Sequence, residues 1–352
     1  VSDCTLDPVF NSATTEYSCT VKNNISSVNV NATATSSKSK VRGLGTKDLV
    51  EGKNTLPIRV IAEDGSEKIY NVNVTRKREA TLLKNEIMKN TVITANPTLT
   101  TSSNNSNDES GLYSSTATNT GEPTYYFRGN VENNYVSFAG FTWRIVRINE
   151  DGTIKIIMQD GINSNAKYKF SSNYYEYTSM YYTNSLIKSP LENWYQENIG
   201  SKADLSKNVA SGAYYCEQAK VKYDSSWTPG SANMNVYSSY TPDFKCSSDG
   251  NGKGVVNASV GLLSYDEVVY AGGYPYSNND NYYLNNPDIC WWTMGPAGFS
   301  GSDSSVWRVP ATGHIYGYRV NATARLRPVL ILNAGTQISD GDGTKNNPFV
   351  VE

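Results

Sequence analysis

Over the first 78 residues, apolar and polar side chains alternate in short runs at residues 4–9, 17–21, 28–34, 56–62 and 69–74. A period of two buries one face of a strand and wets the other, so each run reads as a half-buried strand. Turn pairs at Asn23-Asn24, Glu51-Gly52 and Asp64-Gly65 separate the runs. This pattern predicts a small all-β sandwich over residues 1–78.

The rhythm changes at residue 79. The stretch Ala80-Thr81-Leu82-Leu83-Lys84-Asn85-Glu86-Ile87 is helix-like, and small polar residues follow it to residue 110. A segment of that composition buries too little apolar surface to fold alone, so residues 79–110 are expected to be a helix and a flexible linker. From residue 111 strands return at 125–127, 134–138, 141–148 and 153–158, and again at 306–309, 315–320 and 327–332. Two helix starts lie between these groups, at Ser189-Pro190-Leu191-Glu192 and Ser264-Tyr265-Asp266-Glu267. In each, a serine stands three residues before a glutamate, the spacing at which both side chains satisfy free amides of a first helical turn. The expectation for residues 111–352 is therefore an α+β domain with few helices and many irregular connections.

Composition narrows the function. The chain has 352 residues, 38% of them hydrophobic, and 26 are tyrosines, which suit recognition surfaces because the ring is large, rigid and polar at its tip. A formal net charge of −2 with interspersed signs gives no basic stripe, so nucleic acid is set aside as a partner. No run reaches the roughly 18 apolar residues of a membrane span. Val1 opens directly into strand-like sequence without a signal segment, so the chain reads as a trimmed form and export rests on other features. Cys4 with Cys19 and Cys216 with Cys246 are the candidate disulfides, leaving Cys290 over. None of the five cysteines has metal spacing, and His314 is the one histidine.

Two resemblances add to this reading. The phrases TLDPVFNSATTEYSCTV and GKNTLPIRVIAEDGSEKIYNVNVTR resemble the cadherin-like β-sandwich family of Gram-positive surface proteins, in which the module acts as a spacer. The strings YYFRGNVENNYVSFAGFTWRIVRINEDG, LENWYQENIGSKADLS, GLLSYDEVVYAGG, WWTMGPAGFSG and LRPVLIL resemble a bacterial family with a C-type-lectin-like fold. Many of its members look like variable proteins of diversity-generating retroelements, in which a reverse transcriptase rewrites template adenines. The resemblance implies a fixed scaffold with a hypervariable binding face, here in residues of about 285–328. Rewriting AAC-like codons cannot produce lysine, glutamate, glutamine, methionine or tryptophan. Between Gly295 and Pro328 only Trp307 belongs to that set, while Arg308, Arg319, Arg325 and Arg327 all fall there.

Within that segment Trp291, Trp292, Pro296, Val306, Trp307, Val309, Ile315, Val320, Leu326, Pro328 and Val329 have the character of buried scaffold. Between them Asp303, Ser305, Arg308, Pro310, Thr312, His314, Tyr316, Tyr318, Arg319, Asn321, Ala322, Ala324 and Arg325 are chemically mixed, and these are the expected ligand contacts. Tyrosines anchor by burial and arginines supply forked hydrogen bonds, so Arg308, Arg319 and Arg325 point to an acidic or carboxylate-bearing partner.

A lectin-like fold hosts catalysis in some relatives, so an enzyme would need a site of its own. His314 has no serine or cysteine partner at motif spacing, and no phosphate-gripping glycine loop is present. The expectation is a non-catalytic, exported bacterial surface protein without a cofactor, binding a protein or other macromolecule on another cell or a phage. Calcium is the one ion left open: Asp249-Gly250-Asn251-Gly252-Lys253 hints at a calcium loop but lacks its later ligands, and Asp340-Gly341-Asp342-Gly343 likewise has turn chemistry. The competing readings are a fixed adhesin or a glycan-binding lectin.

Overall fold

The computed structural model describes residues 1–97, 99, 108–217, 234–235, 242–246, 254–275, 277–300 and 302–352. They form two compact units, Val1–Thr81 and Leu82–Glu352. Both are mostly β, and the helices are few and short.

In the smaller unit the strands Glu16–Val21, Glu67–Arg76, Gly52–Ile61 and Lys40–Arg42 lie side by side in that order, and Ser27–Val30 pairs with Gly45–Asp48. Alternation sets the core as expected, with Tyr17, Cys19, Val21, Val28, Val30, Leu56, Ile58, Val72 and Val74 buried. Glu16–Val21 runs parallel to Glu67–Arg76 through six pairs, from Glu16 opposite Asn71 to Val21 opposite Arg76. The Cys4–Cys19 disulfide ties the preceding segment to this strand. The run at residues 4–9 is not a strand. Only Asp7 bridges to Ser18, and Pro8 has no N–H with which to extend the ladder. Lys40–Arg42 and Gly45–Asp48 carry too few apolar residues for their period to show in the sequence.

The larger unit has one extensive sheet that includes Gly111–Ser115, Thr124–Arg128, Phe141–Ile148, Tyr135–Phe138, Phe349–Val351 and Gln337–Asp340. Ile154–Met158 joins Phe141–Ile148 to Val329–Leu332. A second sheet runs Lys167–Lys169, Thr323–Arg325, Trp291–Phe299, Ser304–Val309, Tyr316–Arg319. Helices are few, as expected: among the described residues α-helix is confined to Leu83–Ile87, Lys188–Tyr195, Ala203–Ser206 and Tyr265–Ala271, apart from one turn at Ile162–Asn165.

The expected linker begins otherwise than its composition implies. Leu83 and Ile87 of the first helix are buried in the core of the larger unit, so this helix is part of that unit. Residues 98 and 100–107 of the polar tract that follows lie outside the described residues.

Of the two expected capping boxes one forms. Ser264 accepts a hydrogen bond from the Glu267 amide while the Glu267 carboxylate accepts one from the Ser264 amide, and Gly272 ends the helix in the left-handed region. At the other, the helix starts at Lys188, so Ser189 lies inside it and caps nothing. Pro190 sits in the first turn, where a missing N–H costs no intrahelical bond, so it permits the earlier start.

Several strand positions carry buried charge. Lys155 and Arg147 both meet Glu267, at 2.5 and 3.3 Å, and Arg147 also lies 3.6 Å from Glu150. Burial opposes the charge on Glu267, but Lys155 and Arg147 outweigh it and hold the carboxyl below its usual range. The capping glutamate thus also anchors the helix to the sheet through buried ion pairs.

Candidate binding surface

Every residue read as scaffold in the 291–329 stretch is buried. Trp291, Trp292 and Trp307 are at most 2% exposed, because each lies in the middle of the second sheet. Thr293 supports the arrangement by donating its hydroxyl to the Trp307 carbonyl.

Strand Tyr316–Arg319 is the last in the order of the second sheet, opposite Ser304–Val309 in the register Ser305–Arg319, Val306–Tyr318, Trp307–Gly317, Arg308–Tyr316. Tyr316 and Tyr318 are 41% and 40% exposed, high for aromatic rings on a strand. Residues two apart share a face, which sets Tyr316 and Tyr318 with Arg308 on one side and Arg319 with Ser305 on the other. Arg308 lies over the Tyr318 ring at 3.5 Å. Arg319 pairs with Asp303 at 2.8 Å and lies 6.0 Å from the Tyr174 ring.

The turn before this strand carries Pro310, Thr312 and His314. The Gly313 amide donates to the Pro310 carbonyl, and Thr312 shares a 2.8 Å hydrogen bond with His314 Nδ1. Partial burial, with Arg308 nearby, holds His314 below the usual histidine value, so its ring is neutral near pH 7. Beyond the strand Asn321 and Ala322 are half-buried in a turn, closed by the Ala322 amide on the Arg319 carbonyl.

One expected contact is misplaced. Ala324 is 1% exposed and packs in the core, because the short strand Thr323–Arg325 turns it inward opposite Tyr168. Arg325, next to it, is half-buried and donates from Nε to the Asn165 carbonyl at 3.2 Å. The three arginines differ in their partners. Arg319 already has a carboxylate, Asp303, whereas Arg308 and Arg325 have none among the described residues.

Three residues beside this surface escaped the sequence reading. The rings of Tyr174 and the 62%-exposed Tyr175 meet at a tilt with centroids 4.0 Å apart, and the Tyr174 carbonyl accepts from the Ser304 amide. Lys167 lies directly opposite Arg325. All come from a stretch more than a hundred residues upstream, whose only sequence signal was its density of tyrosines.

Cys216 and Cys246 are bonded and Cys290 is free, half-buried at the start of the Trp291–Phe299 strand. Among the described residues no group of three or more His, Cys, Asp or Glu side chains is arranged to hold a metal ion. The glycine-rich segment 249–253 lies outside them. No helix among the described residues is long and apolar enough to cross a membrane.

Compared with known proteins, residues 1–77 match the family model described as a cadherin-like beta sandwich domain. Neither the curated proteins nor the solved structures yielded a match.

Proposed function

We propose that the protein is a non-catalytic binding protein displayed on a bacterial surface, with a cadherin-like spacer and a larger unit of C-type-lectin-like kind that presents a variable face. The carrying observation is the separation of roles inside one segment. Within it the residues of scaffold character are all buried, while the chemically mixed ones except Ala324 are exposed or half-buried, on the strands Ser304–Val309, Tyr316–Arg319 and Thr323–Arg325 and in the turns beside them. Side chains there can change with little consequence for packing, which is what a diversified face requires. Tyr316, Tyr318 and Tyr175 supply exposed rings suited to anchoring a macromolecule. Two disulfides fit an oxidising, extracytoplasmic setting.

Nucleotide sequencing of the locus tests this reading. The expected result is a near-repeat of the segment encoding residues of about 285–328, differing only at template adenines and lying beside a reverse-transcriptase gene. Absence of both would remove diversification and leave a fixed adhesin, for which glycan screening would come first.

A further inference from the structure

The second sheet ends on two edge strands of opposite character. Lys167–Lys169 carries an exposed lysine at each end, and charge on an edge strand guards it against pairing with another chain. Tyr316–Arg319, at the other end of the sheet order, has exposed tyrosines at 316 and 318 with Gly317 between them, and it has neither lysine, proline nor a bulge. Its one charged residue, Arg319, is already paired with Asp303.

The hydrogen bonds around this strand fix which way its main chain points. The Val320 amide donates to the Ser304 carbonyl at 3.1 Å, so by the alternation of an antiparallel ladder Val320, Tyr318 and Tyr316 turn their amides toward Ser304–Val309. The Ile315 amide donates the other way, to the Tyr274 carbonyl, and the Trp307 carbonyl, opposite Gly317, accepts from Thr293 on the strand at its other side. Gly317 and Arg319 therefore aim their N–H and C=O groups away from the sheet. The Arg319 carbonyl is used by the Ala322 amide, whereas the Gly317 N–H, the Gly317 C=O and the Arg319 N–H have no partner among the described residues.

We propose that this edge takes an extended segment of a protein partner as an added antiparallel strand. The claim rests on the binding-surface reading and names the partner's chemistry, a peptide main chain, which offers alternating N–H and C=O groups at the spacing of a strand. One partner residue opposite Gly317 exchanges both bonds with it, and another two places along accepts from the Arg319 amide. The partner residues on either side of the first then stand beside Tyr316 and Tyr318, whose rings bury their side chains. Main-chain bonds do not depend on side-chain identity. Docking of this kind survives substitution at 316 and 318, and variation there changes only which segment is preferred.

The test is selection of peptides on the full chain from a displayed library of random dodecapeptides. Enriched peptides should slow hydrogen exchange of the Gly317 and Arg319 amides about tenfold or more, and methylating alternate peptide nitrogens along the pairing edge should weaken binding by a similar factor. Arg319→Pro and Arg319→Ala both lose the Asp303 ion pair, but only proline also removes the outward N–H, so Arg319→Pro should bind about fivefold more weakly than Arg319→Ala. Should Arg319→Pro fail to fold, the methylated peptides test the same bonds in the unaltered chain. Failure to obtain peptides that protect these two amides, or equal affinity after methylation, overturns the proposal. Self-association that Arg319→Pro abolishes also overturns it and assigns the edge to a second copy of the chain, and a glycan that protects the amides in place of peptides assigns it to sugar. The nucleotide sequence of the locus is read independently, so failure of the edge is distinguishable from failure of the variable face.

Discussion

The guanidinium of Arg308 lies 3.5 Å from the centre of the Tyr318 ring on the neighbouring strand. Both side chains are surface residues of the candidate face, and stacking fixes each against the other before any ligand arrives, reducing the entropy lost on binding. A double-mutant cycle of Arg308→Ala, Tyr318→Ala and the pair should give a coupling of about 0.5–1 kcal/mol in urea unfolding, the range for an exposed cation–π contact. Strict additivity would mean that the two side chains are independent in solution.

Glu267 closes the capping box and neutralises Lys155 and Arg147. Glu267→Gln keeps an acceptor for the cap yet leaves buried Lys155 without its carboxylate and Arg147 with Glu150 alone, so it should cost about 3–5 kcal/mol. Replacing Ser264 by alanine removes only the reciprocal cap and should cost about 1 kcal/mol. Chemical denaturation ranks the two, and an equal cost would show the ion pairs to be of no consequence.

The same carboxyl sets an acid limit. Its folded-state pKa is depressed, so the unfolded chain binds the proton more readily and the contribution is present above the ordinary glutamate range. As pH falls through that range and then through the folded value, the contribution is lost. Unfolding free energy measured from pH 7 downward should therefore decline more steeply in the unaltered chain than in Glu267→Gln.

Gly313 has a φ of +76°, and a Cβ there would stand 1.7 Å from the Asn279 carbonyl oxygen. Gly313→Ala must displace backbone, not a flexible side chain, so a loss of roughly 2 kcal/mol or more is expected. Because the turn carries Thr312 and His314, ligand binding should weaken as well. A melting temperature equal to that of the unaltered chain would contradict the turn geometry.

The Cys216–Cys246 bond closes a separation of 30 residues, for which loop-closure entropy gives about 3–4 kcal/mol. Replacing both cysteines by serine should lower the stability of the larger unit accordingly. Thiol titration under non-reducing, unfolding conditions should find a single reactive cysteine, Cys290.

Alternation at Tyr17, Cys19 and Val21 and at Val72 and Val74 was sufficient to read the smaller sandwich, because a two-residue period has one structural meaning when one face is wet. The same rule sorted Val306 and Val309 from Ser305 and Arg308. It failed at Ala324, where a small side chain gives no signal of direction and the pairing with Tyr168 decides. Buried Arg144, Arg147 and Lys155 were invisible for another reason: a period counts them as polar, while their partners lie on distant segments. Lys167 and Tyr174 join the surface through sheet order and loop packing, which local sequence does not encode.

In the smaller unit Glu16–Val21 lies parallel to Glu67–Arg76, and the Cys4–Cys19 bond fastens the amino-terminal segment to the former. Tension between the two ends of this unit would enter at Cys19 and leave through Arg76, drawing two parallel neighbours past one another. The hydrogen bonds between them would then be strained together and sideways, not peeled apart in turn. A sandwich built this way resists pulling through the direction of its strands, whatever the modest size of its core.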